Sequence, residues 1–472
     1  MKDKHLLLIL LWAGAILIFA YSWMPGGMDV DSCHYAVVSK GILESGKWLG
    51  FFDPIIRETF FYHFPLVLWV TALFFKLLGV SVFSATLFSM LCGFILTAVI
   101  FYFGRLLKNQ WVGFFGGLSF LLTNHIVRIT RKCRMDIPVS LFITLAMFSF
   151  ILAQKRRRLY YLWFGLFSCL AIFTKDISGT APLVIAVLYL LFCKKWRELI
   201  NPLFLSGILL ALLPAAVWIW LDHMALFKLW LNCNFLHLWQ TVSIKIRWYY
   251  YIEVLFTKYV YFLPLALYGG YLAIKHARKD KQPEFLILII WAVFFPFVFS
   301  FGRQKLHYFI LPIYPAASLL VGLACDKLFR ERLKERIAES FKYLFAFAAI
   351  VMLSFPLPVG GRRFSEIVRL APAMDELLKQ VVEYEFIVYR QDQASILWYS
   401  RQLRRISLIE DIPALEKELS QGQTKPRFCY IAEEDYALIN PEIRNTCRVL
   451  LKYKNRLVII NQKGPALIVN IV

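Results

Sequence analysis

Long apolar runs and short polar loops alternate through the first 358 residues of the chain, and the pattern changes after that. The runs fall at 5–24, 82–104, 111–127, 137–153, 159–174, 177–193, 199–221, 251–274, 283–301, 307–324 and 340–358. Helices of ~17–25 apolar residues are long enough to cross a bilayer, so the pattern predicts about eleven spans. Residues 6–20 resemble a signal-peptide core without its small-residue cleavage site, and are read as an uncleaved anchor. One further apolar segment, 64–80, carries Pro65, Trp69 and Lys76, which suit a helix lying along the membrane surface.

Beyond residue 358 the pattern shortens. Glu385 to Tyr389 and Arg427 to Ile431 read as strands, and 372–383 and 411–419 as helices. The alternation predicts a small α/β domain over 359–472, following an all-α polytopic membrane bundle over 1–358. Cys429 and Cys447 in the tail are either a disulfide or two buried thiols. No internal repeat and no low-complexity segment is visible.

Charge settles the topology. The chain has 472 residues, is 59% hydrophobic and carries a net charge of +22. Such an excess of Lys and Arg raises nucleic acid as a partner, but the cations sit in short loops between apolar runs, so no nucleic-acid partner is expected. If 64–80 stays on the outer surface, one side receives Lys2, Lys4, Arg105, Lys108, Lys155 to Arg158, Lys194, Lys195, Arg197, Lys275 to Lys281 and Lys327 to Arg336. The positive-inside rule makes that side cytoplasmic. If 64–80 crosses, all but the first of these clusters lie outside. The surface placement is therefore adopted, and the tail domain becomes extracytoplasmic.

This choice gathers the reactive groups at one membrane face, in loops 25–63, 128–136, 174–176, 222–250 and 302–306. Acids at a membrane surface are costly unless they bind or catalyse something. Asp29 and Asp31 stand at the foot of a predicted helix, where each is a proton acceptor, a ligand for a divalent cation or an N-cap. Arg131, Arg134 and Asp136 precede a span, with Asp136 also a possible N-cap. Guanidinium forks suit phosphate. Lys175 lies in the turn Thr174-Lys175-Asp176, and Arg303, Lys305, His307 and Tyr308 precede Pro312. These cations are read as phosphate-binding or as interfacial anchors. His63 is a weak metal-ligand candidate, because no His-x₃-His spacing accompanies it. No cofactor is required by the pattern, and a divalent cation is the one left open.

Several of these segments resemble, in order, the motifs of one family. Asp31-Ser32-Cys33-His34-Tyr35-Ala36 with the later Gly46-Lys47-Trp48 resembles its first-loop pattern, and Tyr62-His63-Phe64-Pro65-Leu66 its Tyr- and Pro-containing approach to the surface helix. Arg134-Met135-Asp136-Ile137-Pro138 resembles its second acidic motif. Phe173-Thr174-Lys175-Asp176 resembles its Thr-Lys-Gly turn, and Lys305-Leu306-His307-Tyr308-Phe309-Ile310-Leu311-Pro312 its Lys-Leu-x-Tyr-x-x-Pro motif. The family is the protein O-mannosyltransferase and lipid A aminoarabinose transferase group, GT-C glycosyltransferases that use polyprenyl-phosphate sugars. The resemblance covers roughly residues 1 to 325 and, more loosely, the tail.

The resemblance implies a GT-C bundle in the bacterial inner membrane with a periplasmic tail domain. It implies a polyprenyl-phosphate sugar donor and a lipid, glycan or protein acceptor. Asp31 matches the catalytic acid, Asp29 and Asp136 support it, and Lys175, Arg303, Lys305, Arg131, Arg134, Tyr62, His307 and Tyr308 are the donor-phosphate candidates. The chain departs from the aminoarabinose pattern at His63-Phe64, where those enzymes carry Glu-Lys, and at Asp176, where Gly is usual. Two other classes fit a polytopic chain. A lipid flippase or transporter would carry its charges mid-membrane, often in repeated halves; a surface-glycan polymerase or ligase would take a diphosphate-linked oligosaccharide.

Overall fold

A computed structural model describes residues 8–9, 11–12, 14–16, 28–50, 52–54, 58–59, 63–222, 247–302, 305–329, 364–381, 383–391, 393–403, 406–420 and 425–461. It divides into two compact units. The first comprises Met1–Met24, Lys47–Gly50 and Phe60–Leu357. The second comprises Pro25–Gly46, Phe51–Thr59 and Pro358–Val472.

The first unit is helical. Its elements include α2 (Leu66–Leu78), α3 (Val82–Leu107), α4 (Gln110–Leu121), α5 (Asn124–Thr130), α6 (Asp136–Lys155), α7 (Tyr160–Gly179), α8 (Ala181–Phe192) and α9 (Pro202–Asp222). After these come α10 (Tyr250–Lys258), α11 (Leu263–Lys279), α12 (Leu286–Ser300) and α13 (Tyr314–Phe329). Among the described residues, six helical segments are long and apolar enough to cross a membrane, and a seventh results if the bent pair α4 and α5 counts as one span.

The difference from about eleven has local causes. Residues 340–358 and most of 5–24 lie outside the described residues. The run 111–127 bends by 68° between α4 and α5. The run 177–193 forms only the 12 residues of α8, and 251–274 is divided between α10 and α11. Segment 64–80 forms α2, whose 13 residues rise only about 20 Å, short of a hydrocarbon core of ~30 Å.

Close helix contacts in this unit use small residues, as membrane bundles do. A Cβ on Gly165 of α7 would lie 2.2 Å from the carbonyl oxygen of Gly207 on α9. One on Gly269 of α11 would fall within 1.8 Å of Leu320 O on α13. The buried Trp291 indole donates to Pro312 O at 2.8 Å.

The second unit joins part of the first loop to the tail. Its first-loop part is α1 (Val30–Ser45) with a short antiparallel ribbon of β1 (Phe52–Asp53) and β2 (Glu58–Thr59). In the tail, strands β3 (Glu385–Tyr389), β4 (Ser407–Ile409), β5 (Arg427–Ala432), β6 (Cys447–Tyr453) and β7 (Arg456–Asn461) form one sheet in the order β4-β3-β5-β7-β6. Strands β4, β3 and β5 run parallel, and β6 with β7 is an antiparallel hairpin. Alternate side chains pack on opposite faces. Phe386, Val388, Phe428 and Tyr430 meet Met374 and Leu377, and Ile387, Tyr389, Cys429 and Ile431 meet Leu415 and Leu419.

Helix α1 belongs to this core. Val37 packs with the first of those two faces. The Met28 N–H donates to Tyr399 Oη at 3.0 Å, and Ser395 Oγ–H donates to Cys33 Sγ at 3.5 Å. Cys429 and Cys447 are free thiols. Strand β7 lies between their strands, which separates them by about two strand spacings, roughly 10 Å. A disulfide needs Cα atoms within about 7 Å, so of the two alternatives the thiols are the ones present.

Candidate active site

In the first unit, segments far apart in sequence meet around one carboxylate. Asp136 opens α6, where the helix dipole favours a negative charge. It is only 2% exposed. Arg134 donates through Nε to Asp136 Oδ2 at 2.9 Å, and Lys175 donates through Nζ to Asp136 Oδ1 at 2.5 Å. The Arg134 guanidinium carbon lies 3.9 Å from the centre of the Tyr308 ring. The Lys175 ammonium lies 5.4 Å from that ring and 5.3 Å from the ring of Phe309. Cation–π contacts of this kind hold a cation without consuming its hydrogen-bond donors.

Burying charges is tolerable when each has an opposite partner. Two cations share one carboxylate here, so the triad carries net positive charge. Arg131 and Lys305, on the segments that supply Arg134 and Tyr308, are buried as well. A buried, net-positive cluster with forked donors is suited to a phosphate.

Lys175 reaches Asp136 because the backbone breaks beneath it. Lys175 (φ −155°, ψ 65°) and Asp176 (φ 22°, ψ −110°) leave helical geometry inside α7. The expected turn is thus a break within one longer helix. Asp176 adopts a positive φ that favours glycine. Its carboxylate is tied down on both oxygens, with His63 Nδ1 at 2.8 Å and the Phe64 N–H at 3.0 Å. The chain's two departures from the family pattern, His63-Phe64 and Asp176, are therefore one contact. Beyond the break, a Cβ on Gly179 would lie 2.3 Å from Ala171 O, so only glycine lets the chain turn back this closely.

His63 is a partner of Asp176. Among the described residues, no group of three or more His, Cys, Asp or Glu side chains could hold a metal ion. Tyr62 and Arg303 lie outside the described residues.

The second unit holds the first-loop acids. Asp29 is the N-cap of α1, accepting from Ser32 N–H at 3.0 Å and from Ser32 Oγ at 2.5 Å. Its side chain thus caps α1. Asp31 lies in the first helical turn and is half-buried. One turn on, His34 Nε2 lies 2.5 Å from Asp53 Oδ2, and the Asp53 side chain is fully buried.

Comparisons with known proteins relate the chain to others by sequence and by fold. The family profile described as dolichyl-phosphate-mannose-protein mannosyltransferase matches residues 62–220, a stretch that contains Asp136 and Lys175. A protein of Aquifex aeolicus (strain VF5) is 24% identical over 85% of this chain and 80% of its own length. The undecaprenyl phosphate-alpha-4-amino-4-deoxy-L-arabinose arabinosyl transferase of Pectobacterium carotovorum is 26% identical over 64% of this chain. The match covers 54% of that protein, so the chain spans about half the length of this relative. The crystal structure of ArnT from Cupriavidus metallidurans bound to undecaprenyl phosphate superimposes with a TM-score of 0.76, at 18% identity, over 97% of this chain and 99% of that one.

The chain has the fold of that transferase structure.

Asp136, Arg134, Lys175 and Tyr308 are all candidates from the sequence, and the fold brings those four together. Sequence reasoning missed His125 and Asp53. Each is a single polar residue whose partner lies at a sequence distance no local pattern encodes: His125 meets His307, and Asp53 meets His34.

Proposed function

We propose that this chain is an integral, multi-pass enzyme of the bacterial inner membrane that moves a monosaccharide from a polyprenyl-phosphate donor to a lipid, glycan or protein acceptor at the outer face. The observation that carries the reading is the buried Arg134–Asp136–Lys175–Tyr308 cluster, a net-positive phosphate seat in a GT-C fold. An acceptor oxygen or nitrogen forms a bond to the anomeric carbon from the face opposite the phosphate. The bond from that carbon to the phosphate oxygen breaks, and its electron pair leaves with the polyprenyl phosphate.

Lys175, Arg134 and Lys305, with Arg131 and Arg303, offset the charge that develops on the leaving group, the kind of electrostatic work that often dominates catalysis. Asp31 orients the acceptor and takes its proton. Asp136 serves by fixing the two cations, because both of its oxygens are engaged by them. The tail domain is assigned to the periplasm on the charge pattern of the loops. A divalent cation is the one cofactor the reading leaves room for, with its ligands unassigned.

The test is transfer of labelled sugar from a polyprenyl-phosphate donor in proteoliposomes. Label should move to an envelope lipid, glycan or protein and leave free polyprenyl phosphate. Transfer only from diphosphate-linked oligosaccharides would move the chain to the polymerase or ligase class. Donor lipid crossing the bilayer with no sugar transferred would favour the flippase reading.

A further inference from the structure

Behind Tyr308 lies a buried chain of three polar rings that the proposed mechanism does not use. Tyr314 and His125 are almost completely buried. Tyr314 Oη lies 2.8 Å from His125 Nδ1, and His125 Nε2 lies 2.9 Å from His307 Nδ1. The two imidazole centroids are 5.0 Å apart. His307 in turn meets Tyr308 edge-on at 5.3 Å, and Tyr308 carries the Arg134 guanidinium.

Counting donors orients this chain. A buried phenol needs an acceptor for its O–H. Among the described residues, Tyr314 Oη has one hydrogen-bond partner, His125 Nδ1. The phenol therefore donates to that nitrogen. A buried imidazolium needs an acidic partner, and among the described residues no carboxylate is hydrogen-bonded to His125 or His307, so both rings count as neutral. A neutral His125 that accepts at Nδ1 carries its proton on Nε2 and donates it to His307 Nδ1. A neutral His307 that accepts at Nδ1 carries its own proton on Nε2, on the opposite side of the ring.

We infer that Tyr314 and His125 are positioning residues that lock His307 as the Nε2–H tautomer, making it a neutral hydrogen-bond donor to the phosphate of the polyprenyl donor. This rests on the function proposed above and specifies one part of it. A neutral donor adds direction to a site already rich in charge, where a further cation would hold the product phosphate too tightly to release. The same tautomer excludes His307 as the base that takes the acceptor's proton.

The experiment compares binding of polyprenyl monophosphate to purified protein in detergent. His307→Gln places an amide N–H near the position of Nε2–H, and His307→Ala removes it. Tyr314→Phe deletes the first donor of the relay and keeps the ring. We expect His307→Gln to bind within about threefold of the parent, His307→Ala to lose at least about tenfold, and Tyr314→Phe to lose about three- to tenfold. These ranges follow from one hydrogen bond to a charged group and one neutral bond in the relay. Unfolding midpoints identify any variant that fails to fold, and Tyr314→Phe is the least disruptive of the three.

Equal loss in His307→Gln and His307→Ala, or parental binding by Tyr314→Phe, would overturn the tautomer assignment while the function stands. A parent protein that binds no polyprenyl monophosphate overturns both. Unchanged kcat in Tyr314→Phe with a raised KM for the donor supports the binding role, and a kcat effect at constant KM contradicts it.

Discussion

Asp136 and Asp31 are both carboxylates at the first turn of a helix, yet their surroundings differ completely. Asp136 is buried in the helical unit and clasped by Arg134 and Lys175. Asp31 is half-buried on a helix whose partners are strands and helices of the tail. A carboxylate with a cation on each oxygen is a poor proton acceptor and a good scaffold for those cations. The same residue type in the first turn of a helix thus meets two different surroundings, and the proposed function assigns it two different purposes. Asp29 makes a third case, with one carboxylate oxygen accepting from Ser32 as a cap.

The comparison breaks most sharply at Asp31. Asp31→Asn should lower transfer by about 10²–10⁴, the usual range for a lost proton acceptor, with an unchanged unfolding midpoint. Near-parental turnover would remove Asp31 from the chemistry. Asp136→Asn should act first on stability. Removing one partner of a buried ion cluster costs about 3–5 kcal/mol, which thermal unfolding in detergent would register as a large fall. An unchanged midpoint would mean that Arg134 and Lys175 need no counter-ion.

The break at Asp176 gives a smaller effect. Asp176→Ala loses the tether to His63 and Phe64 while keeping the strained φ, for roughly 1–3 kcal/mol. Asp176→Gly relieves the strain and should cost less, and a larger loss for glycine would contradict the account. Asp29→Ala should cost about 1 kcal/mol and Asp29→Ser only a few tenths, as expected for a cap. If Asp29→Ser and Asp29→Ala lost activity equally at matched stability, the carboxylate itself would be doing chemistry.

Much of this was legible in the chain. Apolar length alone locates α3 and α6 to within a few residues, because a long uncharged run has few alternatives to a buried helix. The strands β3 and β5 were legible because each is buried on both faces and reads as a continuous apolar run. What the sequence hid was long-range. Nothing local signals that Met28 meets Tyr399, 371 residues away, and so that α1 shares a core with the tail. The apolar run overstates the length of α8 because its first residues, 177–179, belong to α7.

In the site, the cations stand out because the charge pattern puts them on the face opposite the basic loops. Their division of labour does not. Whether Asp136 accepts a proton or holds two cations depends on the path of Lys175, which is set by a backbone break at a residue other than glycine. The pairing of His63 with Asp176 was equally hidden, although both positions had been marked as departures from the family pattern.

The most direct test separates the two carboxylates by what each variant loses. Binding of polyprenyl phosphate and single-turnover transfer of labelled sugar are measured on purified Asp31→Asn and Asp136→Asn. The account predicts that Asp31→Asn binds the lipid like the parent and transfers no sugar, whereas Asp136→Asn loses lipid binding because Arg134 and Lys175 are no longer held. Lipid binding lost in Asp31→Asn and retained in Asp136→Asn would contradict it.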